Sequence, residues 1–282
     1  MAWTLTDKLD DYVAVAGGFL RSRPMQHTIQ LSVTETLRAR GTSAFGEAAP
    51  LFGWWRAGDA EITAALLHTP PHPVLLTRLP EGSAEPLAEA LAGRRRSLDG
   101  VTAQEGDAAA FAAAWSRLTG ASSLEFRRSR LFRLGQLRPP DPGSPGIARV
   151  ATTADRACLE SWFAAFAQEI GESMGRPADA VDDRLSYRGL TLWEVDGAPV
   201  SLAGRHRPAA GTVRVAPVYT PPEHRRQGYA GAVTAAVSQA ALDDGADHVV
   251  LFTDLANPTS NALYQRLGYR PVEDRVVLRF GP

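Results

Sequence analysis

A nine-residue run, Arg138-Pro139-Pro140-Asp141-Pro142-Gly143-Ser144-Pro145-Gly146, divides this 282-residue chain into halves of similar size. Its four prolines fix φ and lack a backbone donor, and its glycines permit turns, so neither helix nor strand continues through it. At about 150 residues per domain, two domains are the expectation: residues 1–137, a linker at 138–146, and residues 147–282.

Composition enters as a set of exclusions. Thirty basic residues against thirty-one acidic ones give a net charge of −1, which argues against a general nucleic-acid surface. No segment reaches the roughly 18 apolar residues of a membrane span, and the amino terminus lacks a signal-peptide pattern. A single cysteine, Cys158, leaves no disulfide framework and no cysteine-based metal cluster. A cytoplasmic, metal-free protein is expected, with a homodimer left open.

Hydrophobic period and turn signals order the second half. A strand at 147–151 precedes a helix with Leu159, Phe163, Phe166 and Ile170 at helical spacing. A shorter helix near 179–187 follows, then strands at 190–195 and 200–205 around Asp196-Gly197, a hairpin signal. After these come a strand at 212–219 interrupted by Pro217, a helix at 226–244, a strand at 248–254, a helix at 259–267 and a last strand at 275–280. The order β-α-α-β-β-β-α-β-α-β implies a mixed α/β layer. The first half gives a blurred copy: helices at 5–20 and 28–38, a hairpin around Gly58-Asp59, a strand at 74–77, a helix at 85–92, a strand at 98–104, a helix at 107–118 and a strand at 124–134. It reads as a divergent internal duplication.

The chemistry-bearing segment is Val218-Tyr-Thr-Pro-Pro-Glu-His-Arg-Arg-Gln-Gly-Tyr-Ala-Gly231, between a strand and a long helix. Gly228 allows a tight turn. The first-turn N–H groups of the helix have no intrahelical partner and, with its dipole, favour an anion such as phosphate. Arg225 and Arg226 add charge. Taken generically, such a turn is a solvated connection. Its pattern is more particular, however: Arg225-x-x-Gly228-x-Ala230 resembles the pyrophosphate loop of the GNAT (Gcn5-related N-acetyltransferase) superfamily. Downstream, Asn257-Pro-Thr-Ser-Asn261-Ala-Leu-Tyr264-Gln-Arg-Leu-Gly268-Tyr269 resembles that family's second cofactor motif. The resemblance covers about 147–280.

The resemblance implies a mixed-sheet GNAT-like α/β fold, two such units in tandem, and acetyl-CoA as co-substrate. Backbone groups of Val218, Tyr219 and Thr220 would meet the pantetheine, one of them as an oxyanion donor. The amides of Arg226, Gln227, Gly228, Tyr229, Ala230 and Gly231 would hold the pyrophosphate, with Arg225 assisting. Asn257 would contact pantetheine, although Asn before Pro258 also suits a helix cap; Asn261 lies one turn further on. Tyr264 matches the residue that protonates the departing thiolate, against an ordinary reading as core. The base that takes the amine proton is open: Glu169 is favoured, with Glu194, Asp254 and His206 as rivals.

The implied activity is direct acetyl transfer from acetyl-CoA to a primary amine of a small-molecule or peptide acceptor. Its rival is an acyl-CoA-binding regulatory protein that does not catalyse. Aligning Pro80 with Pro222 puts Ser83 in place of Arg225 and Pro86 in place of Gly228. Proline has no N–H for a phosphate, so only the second half is expected to bind CoA. His68 and His72 are separated by prolines and make a poor metal pair. Cys158 reads as a small core residue, the Arg94-Arg95-Arg96 run as a solvated helix end, and Trp54 and Trp55 as a half-buried strand.

Overall fold

The computed structural model describes residues 2–56, 61–94, 96–141, 143–171 and 175–281. The Gly58-Asp59 turn, Arg95 and Pro142 therefore lie outside the described residues. In chain order the first ten elements are β1 (Ala2–Thr6), α1 (Leu9–Ser22), α2 (Thr28–Arg40), β2 (Leu51–Arg56), β3 (Ile62–His68), β4 (Val74–Leu76), α3 (Ala84–Gly93), β5 (Gly100–Ala103), α4 (Glu105–Thr119) and β6 (Ser122–Leu134). The next ten are β7 (Ile147–Val150), α5 (Arg156–Ile170), α6 (Pro177–Ser186), β8 (Leu190–Val195), β9 (Ala198–Arg205), β10 (Thr212–Tyr219), α7 (Tyr229–Asp243), β11 (His248–Asp254), α8 (Pro258–Arg266) and β12 (Tyr269–Gly281). The second ten repeat the order of the first ten, β-α-α-β-β-β-α-β-α-β. The chain is a tandem of two mixed α/β units of like element order.

The expected helix from Leu5 is corrected at its start, where Ala2–Thr6 form a strand. Ala2 to Thr6 pair antiparallel with Arg56 to Phe52, a partner some fifty positions away that no local signal announces. The helix expected from Arg226 is likewise corrected: α7 begins only at Tyr229, because Arg226 and Gly228 adopt positive φ of 62° and 84°.

The first unit comprises Met1–Leu131, Asp254–Ala256 and Val272–Pro282. Its strands β1, β2, β3 and β4 pair antiparallel in sequence, β4 and β5 pair parallel, and β12 lies antiparallel to β5, Val276 opposite Ala103. On one face Leu51, Leu66, Leu76, Leu87, Leu91, Phe111 and Trp115 form a buried core beneath α3 and α4. The opposite face carries α1, whose Tyr12 stacks on Phe52 at 5.0 Å.

The second unit comprises Phe132–Thr253 and Asn257–Pro271. Strands β7, β8, β9 and β10 are antiparallel in sequence and β10 pairs parallel with β11. Leu159, Phe163, Val181, Leu190, Leu192 and Leu202 pack beneath α5 and α6. Val213, Val215, Val233, Val237, Leu251 and Tyr269 pack on the other face, beneath α7 and α8. The Pro/Gly run belongs to this unit: Arg138 N donates to Leu267 O at 2.9 Å, Ser144 Oγ to Gln227 O at 3.1 Å, and Trp193 Nε1 to Pro145 O at 2.8 Å.

Candidate active site

The site is built on a pair of strands that part. Thr212, Val213 and Arg214 of β10 pair with His248, Val249 and Val250 of β11, and the pairing ends there. On its other edge β10 pairs Val215 with Arg205 but Val218 with Ala203, three steps against two, which is a bulge. Pro217 sits in the bulge without an N–H, after a cis peptide bond. Gly204 of β9 leaves room for it: a Cβ there would come within 2.7 Å of Ala216 O and 3.0 Å of Pro217 Cδ. Among the described residues, the edge of β10 beyond Arg214 on the β11 side thus has no strand partner.

Not every group at the end of β10 is free. Tyr219 O accepts from Ser201 Oγ at 3.1 Å, Ser201 Oγ lies 2.8 Å from Thr220 Oγ1, and Thr220 O accepts from Arg225 Nε at 2.9 Å. Ser201, which carries no motif, was missed from the sequence because it is recruited across two strands. Trp162 and Phe166 of α5 pack on the Tyr219 ring at 6.2 and 6.4 Å.

Past a single 3-10 turn at Pro222–His224, the chain is extended at Arg225, and the two positive-φ residues turn it into α7. Ala232 N donates to Gly228 O at 3.1 Å, so the amides of Tyr229, Ala230 and Gly231 precede the first intrahelical bond and point out of the helix end. A Cβ at Gly228 would collide with Ser144 Oγ. Gln227 is held at both ends, its carbonyl by Ser144 and its Oε1 by the Tyr229 hydroxyl at 2.9 Å.

The two arginines differ. Arg225 is committed: Nη2 pairs with Glu169 Oε1 at 2.5 Å, and its guanidinium lies 5.9 Å from the Tyr219 ring. Arg226 is exposed. Glu169, at the last turn of α5, is therefore tied to the loop, an ion pair across 56 residues that pattern alone does not reveal.

Asn257 caps α8, its side chain accepting from Ser260 N at 3.0 Å, with Pro258 in the first turn. Asn261 Nδ2 donates to Asn257 O at 2.7 Å. Tyr264 is 8% exposed and belongs to the core cluster beneath α7 and α8. Its ring meets Tyr269 edge-on at 6.0 Å, and burial pushes its pKa up to about 12.

Among the rival bases, Glu194 is bonded to Arg149, which also holds Asp155 at 2.8 Å. Asp254 Oδ1 accepts from Ala256 N at 2.8 Å. His206 lies with Arg184 Nη2 at 3.5 Å, and burial together with Arg214 and Arg184 holds it far below the usual imidazole range. A base held that low binds a proton poorly. Cys158 lies on α5 and burial raises its pKa, so its thiol is protonated. Among the described residues no group of three His, Cys, Asp or Glu side chains could hold a metal ion, and no helix is long and apolar enough to cross a membrane.

Residues 156–269 match the family model "Acetyltransferase (GNAT) family". Among solved structures, a GCN5-related N-acetyltransferase from Sphaerobacter thermophilus aligns with TM-score 0.62 at 17% identity, over 99% of this chain and 95% of that one. An acetyltransferase from the GNAT family of Colwellia psychrerythraea gives 0.60 at 11% identity over the whole of both chains. A tandem GNAT protein from the clavulanic acid biosynthesis pathway gives 0.58 at 17%, over 99% of each. At these identities the structural likeness concerns the fold alone. No curated protein matches the sequence.

Proposed function

Residues 156–269 are a domain of the acetyltransferase (GNAT) family, which makes the chain an acyl-CoA-dependent N-acyltransferase, and on that premise we propose that it moves an acetyl group from acetyl-CoA directly to a primary amine. The observation that carries this reading is the parting of β10 from β11 at a bulge, with the open amino end of α7 beside it.

The donor fits that geometry. The edge of β10 that β11 leaves, with Thr220 just beyond it, offers the backbone groups still open between Val218 and Thr220 to the pantetheine amides, and a β10 N–H polarises the thioester carbonyl. The pyrophosphate rests on the amides of Gly228 to Gly231, where the helix dipole favours it. Arg226 is the available cation, while Arg225 acts chiefly by anchoring the loop to Glu169. Asn257 and Asn261 lie at the start of α8, with Asn257 as cap and contact together.

The amine attacks when neutral, so its ammonium proton must leave. Its nitrogen lone pair forms the C–N bond at the thioester carbon, the C–S bond breaks, and the departing thiolate takes the Tyr264 phenol proton. Glu169 receives the ammonium proton through water, in competition with Arg225, and the proton that the attacking nitrogen sheds on becoming an amide returns through water to the Tyr264 phenolate. The only cysteine lies on α5 with a protonated thiol, which favours a direct transfer. The acceptor is a small-molecule or peptide amine. Calorimetry with acetyl-CoA should show one site per chain, and Gly228→Pro should abolish it. A panel of amines assayed by thiol release identifies the acceptor; tight acetyl-CoA binding without turnover on any amine refutes the catalytic reading.

A further inference from the structure

The first unit has a parting pair of strands of its own. β4 and β5 are parallel only over Val74 with Val101 and Leu75 with Thr102. Past that point β4 turns toward β3: Thr77 N donates to Ala65 O at 3.0 Å and Ala65 N to Thr77 Oγ1 at 2.9 Å. Crevices beyond the carboxyl ends of parallel strands are where α/β layers hold ligands. Here a cavity of about 410 Å³ opens, lined among others by Arg23, His27, Arg78, Gln104, Glu273 and Arg275. That volume suits a small metabolite.

One wall is a continuous hydrogen-bonded chain. Arg78 Nη1 donates to Gln104 Oε1 at 2.6 Å and Gln104 Nε2 to Glu273 Oε2 at 2.8 Å. Arg275 Nε donates to Glu273 Oε1 at 2.8 Å and its Nη2 to Gln26 O at 2.6 Å. Arg275 is 4% exposed, so its end of the wall, with Glu273, is held in place. The lining holds three cations against one carboxylate, and Asp107, at 3.4 Å from Arg78 Nε, offsets one more charge. One positive charge remains in excess, that of exposed Arg23, while Arg78, also exposed, is offset by Asp107.

His27 adds a second recognition element. It is 3% exposed, with Nδ1 3.1 Å from Leu20 O. Burial, with Arg275 nearby, pushes its pKa down to about 4, so the ring is neutral. Nδ1 then carries the proton and donates to Leu20 O, and Nε2 is left as an acceptor.

The cavity is not a second CoA cradle. Ser83 N and Ser83 Oγ both donate to Pro80 O, at 3.1 and 2.7 Å, so the turn before α3 is closed on itself. Pro86 in the first turn of α3 has no N–H. We propose that the first unit binds a small hydroxycarboxylate, its carboxylate paired with Arg23 and Arg78 and its hydroxyl donating to His27 Nε2. This assignment stands independently of the acetyl transfer assigned to the second unit.

The test is calorimetry on the intact chain with L-malate, succinate, inorganic phosphate and acetyl-CoA. Malate should bind at one site, and succinate, which lacks the hydroxyl, about five- to tenfold more weakly, as befits one neutral hydrogen bond. Arg23→Ala and Arg78→Ala alter exposed side chains; each should weaken malate by about tenfold or more, through a lost charge-assisted bond, and leave acetyl-CoA binding unchanged. His27→Gln should narrow the malate–succinate difference. No saturable malate binding up to about 10 mM, below which even weak small-ligand affinities register, overturns the proposal. So does unchanged malate affinity in both arginine variants, or phosphate binding as tightly as malate. Loss of malate binding in Gly228→Pro alone would place that site on the second unit and equally overturn it.

Discussion

Replacing Gly204 with alanine tests whether the β10 bulge is held in place by backbone contact with β9. The added Cβ would stand 2.7 Å from Ala216 O, 3.0 Å from Pro217 Cδ and 3.2 Å from Ala216 C. A comfortable carbon–oxygen contact is about 3.3 Å or more, so the oxygen must retreat by roughly half an ångström. The obstructing atoms are backbone and a proline ring, which cannot swing away. Overpacking of this kind costs about 1–3 kcal/mol, offset by about 0.4–1 kcal/mol from a stiffer unfolded chain. A net loss of about 1–2 kcal/mol is expected in urea unfolding. The same displacement moves the edge proposed to hold the thioester. Since about 1 Å of misplacement costs on the order of a hundredfold, kcat/KM in a thiol-release assay should fall roughly tenfold. The control is Gly18→Ala on the exposed face of α1, where nothing lies within 4 Å of the new Cβ. That variant should gain about 0.5–1 kcal/mol and turn over normally. If Gly204→Ala behaves like Gly18→Ala, the bulge is not set by this contact and the reasoning fails.

Tyr264→Phe should lower the maximal rate about tenfold to a thousandfold with acetyl-CoA affinity nearly unchanged. With its pKa raised to about 12, the phenol keeps its proton throughout the working range, so the rate profile should show no alkaline limb from this group up to about pH 10; a fall that Tyr264→Phe removes would contradict the assignment. Asp155→Asn should destabilise the second unit by about 1–2 kcal/mol, because Asp155 closes the Thr152 capping box and pairs with Arg149. Arg149 holds the folded Asp155 down to about 2, so its contribution is present above the unfolded pKa of about 4 and is lost as pH falls from there toward 2; urea midpoints across that window should be flatter in the variant. Cys158→Ala should retain turnover with sequential kinetics, and a ping-pong pattern lost in this variant would establish an acyl-cysteine instead.

Local signals were legible wherever the physics acts within a few residues. Asn257 before Pro258 announces the α8 cap, which forms as read. Pro217 announces an interruption of β10, and a bulge is there. The Arg225-x-x-Gly228-x-Ala230 spacing marks the start of α7. Caps, left-handed turns and missing amide donors are properties of adjacent residues, so the order of elements in the second half could be read from sequence, as could that of the first half apart from β1.

Tertiary structure alone decided who meets whom. β1 became a strand because β2 lay open beside it. Glu169, a free carboxylate in sequence, is claimed by Arg225, and Ser144, a linker residue in sequence, sits against Gly228. Tyr264 owes its raised pKa to burial against the sheet. The first-unit cavity joins side chains of the α1–α2 connection to β12, up to about 250 positions away. Such neighbours are chosen by the closing of the sheet, in which apolar faces dominate the free energy and charged side chains take the partners that closure leaves within reach.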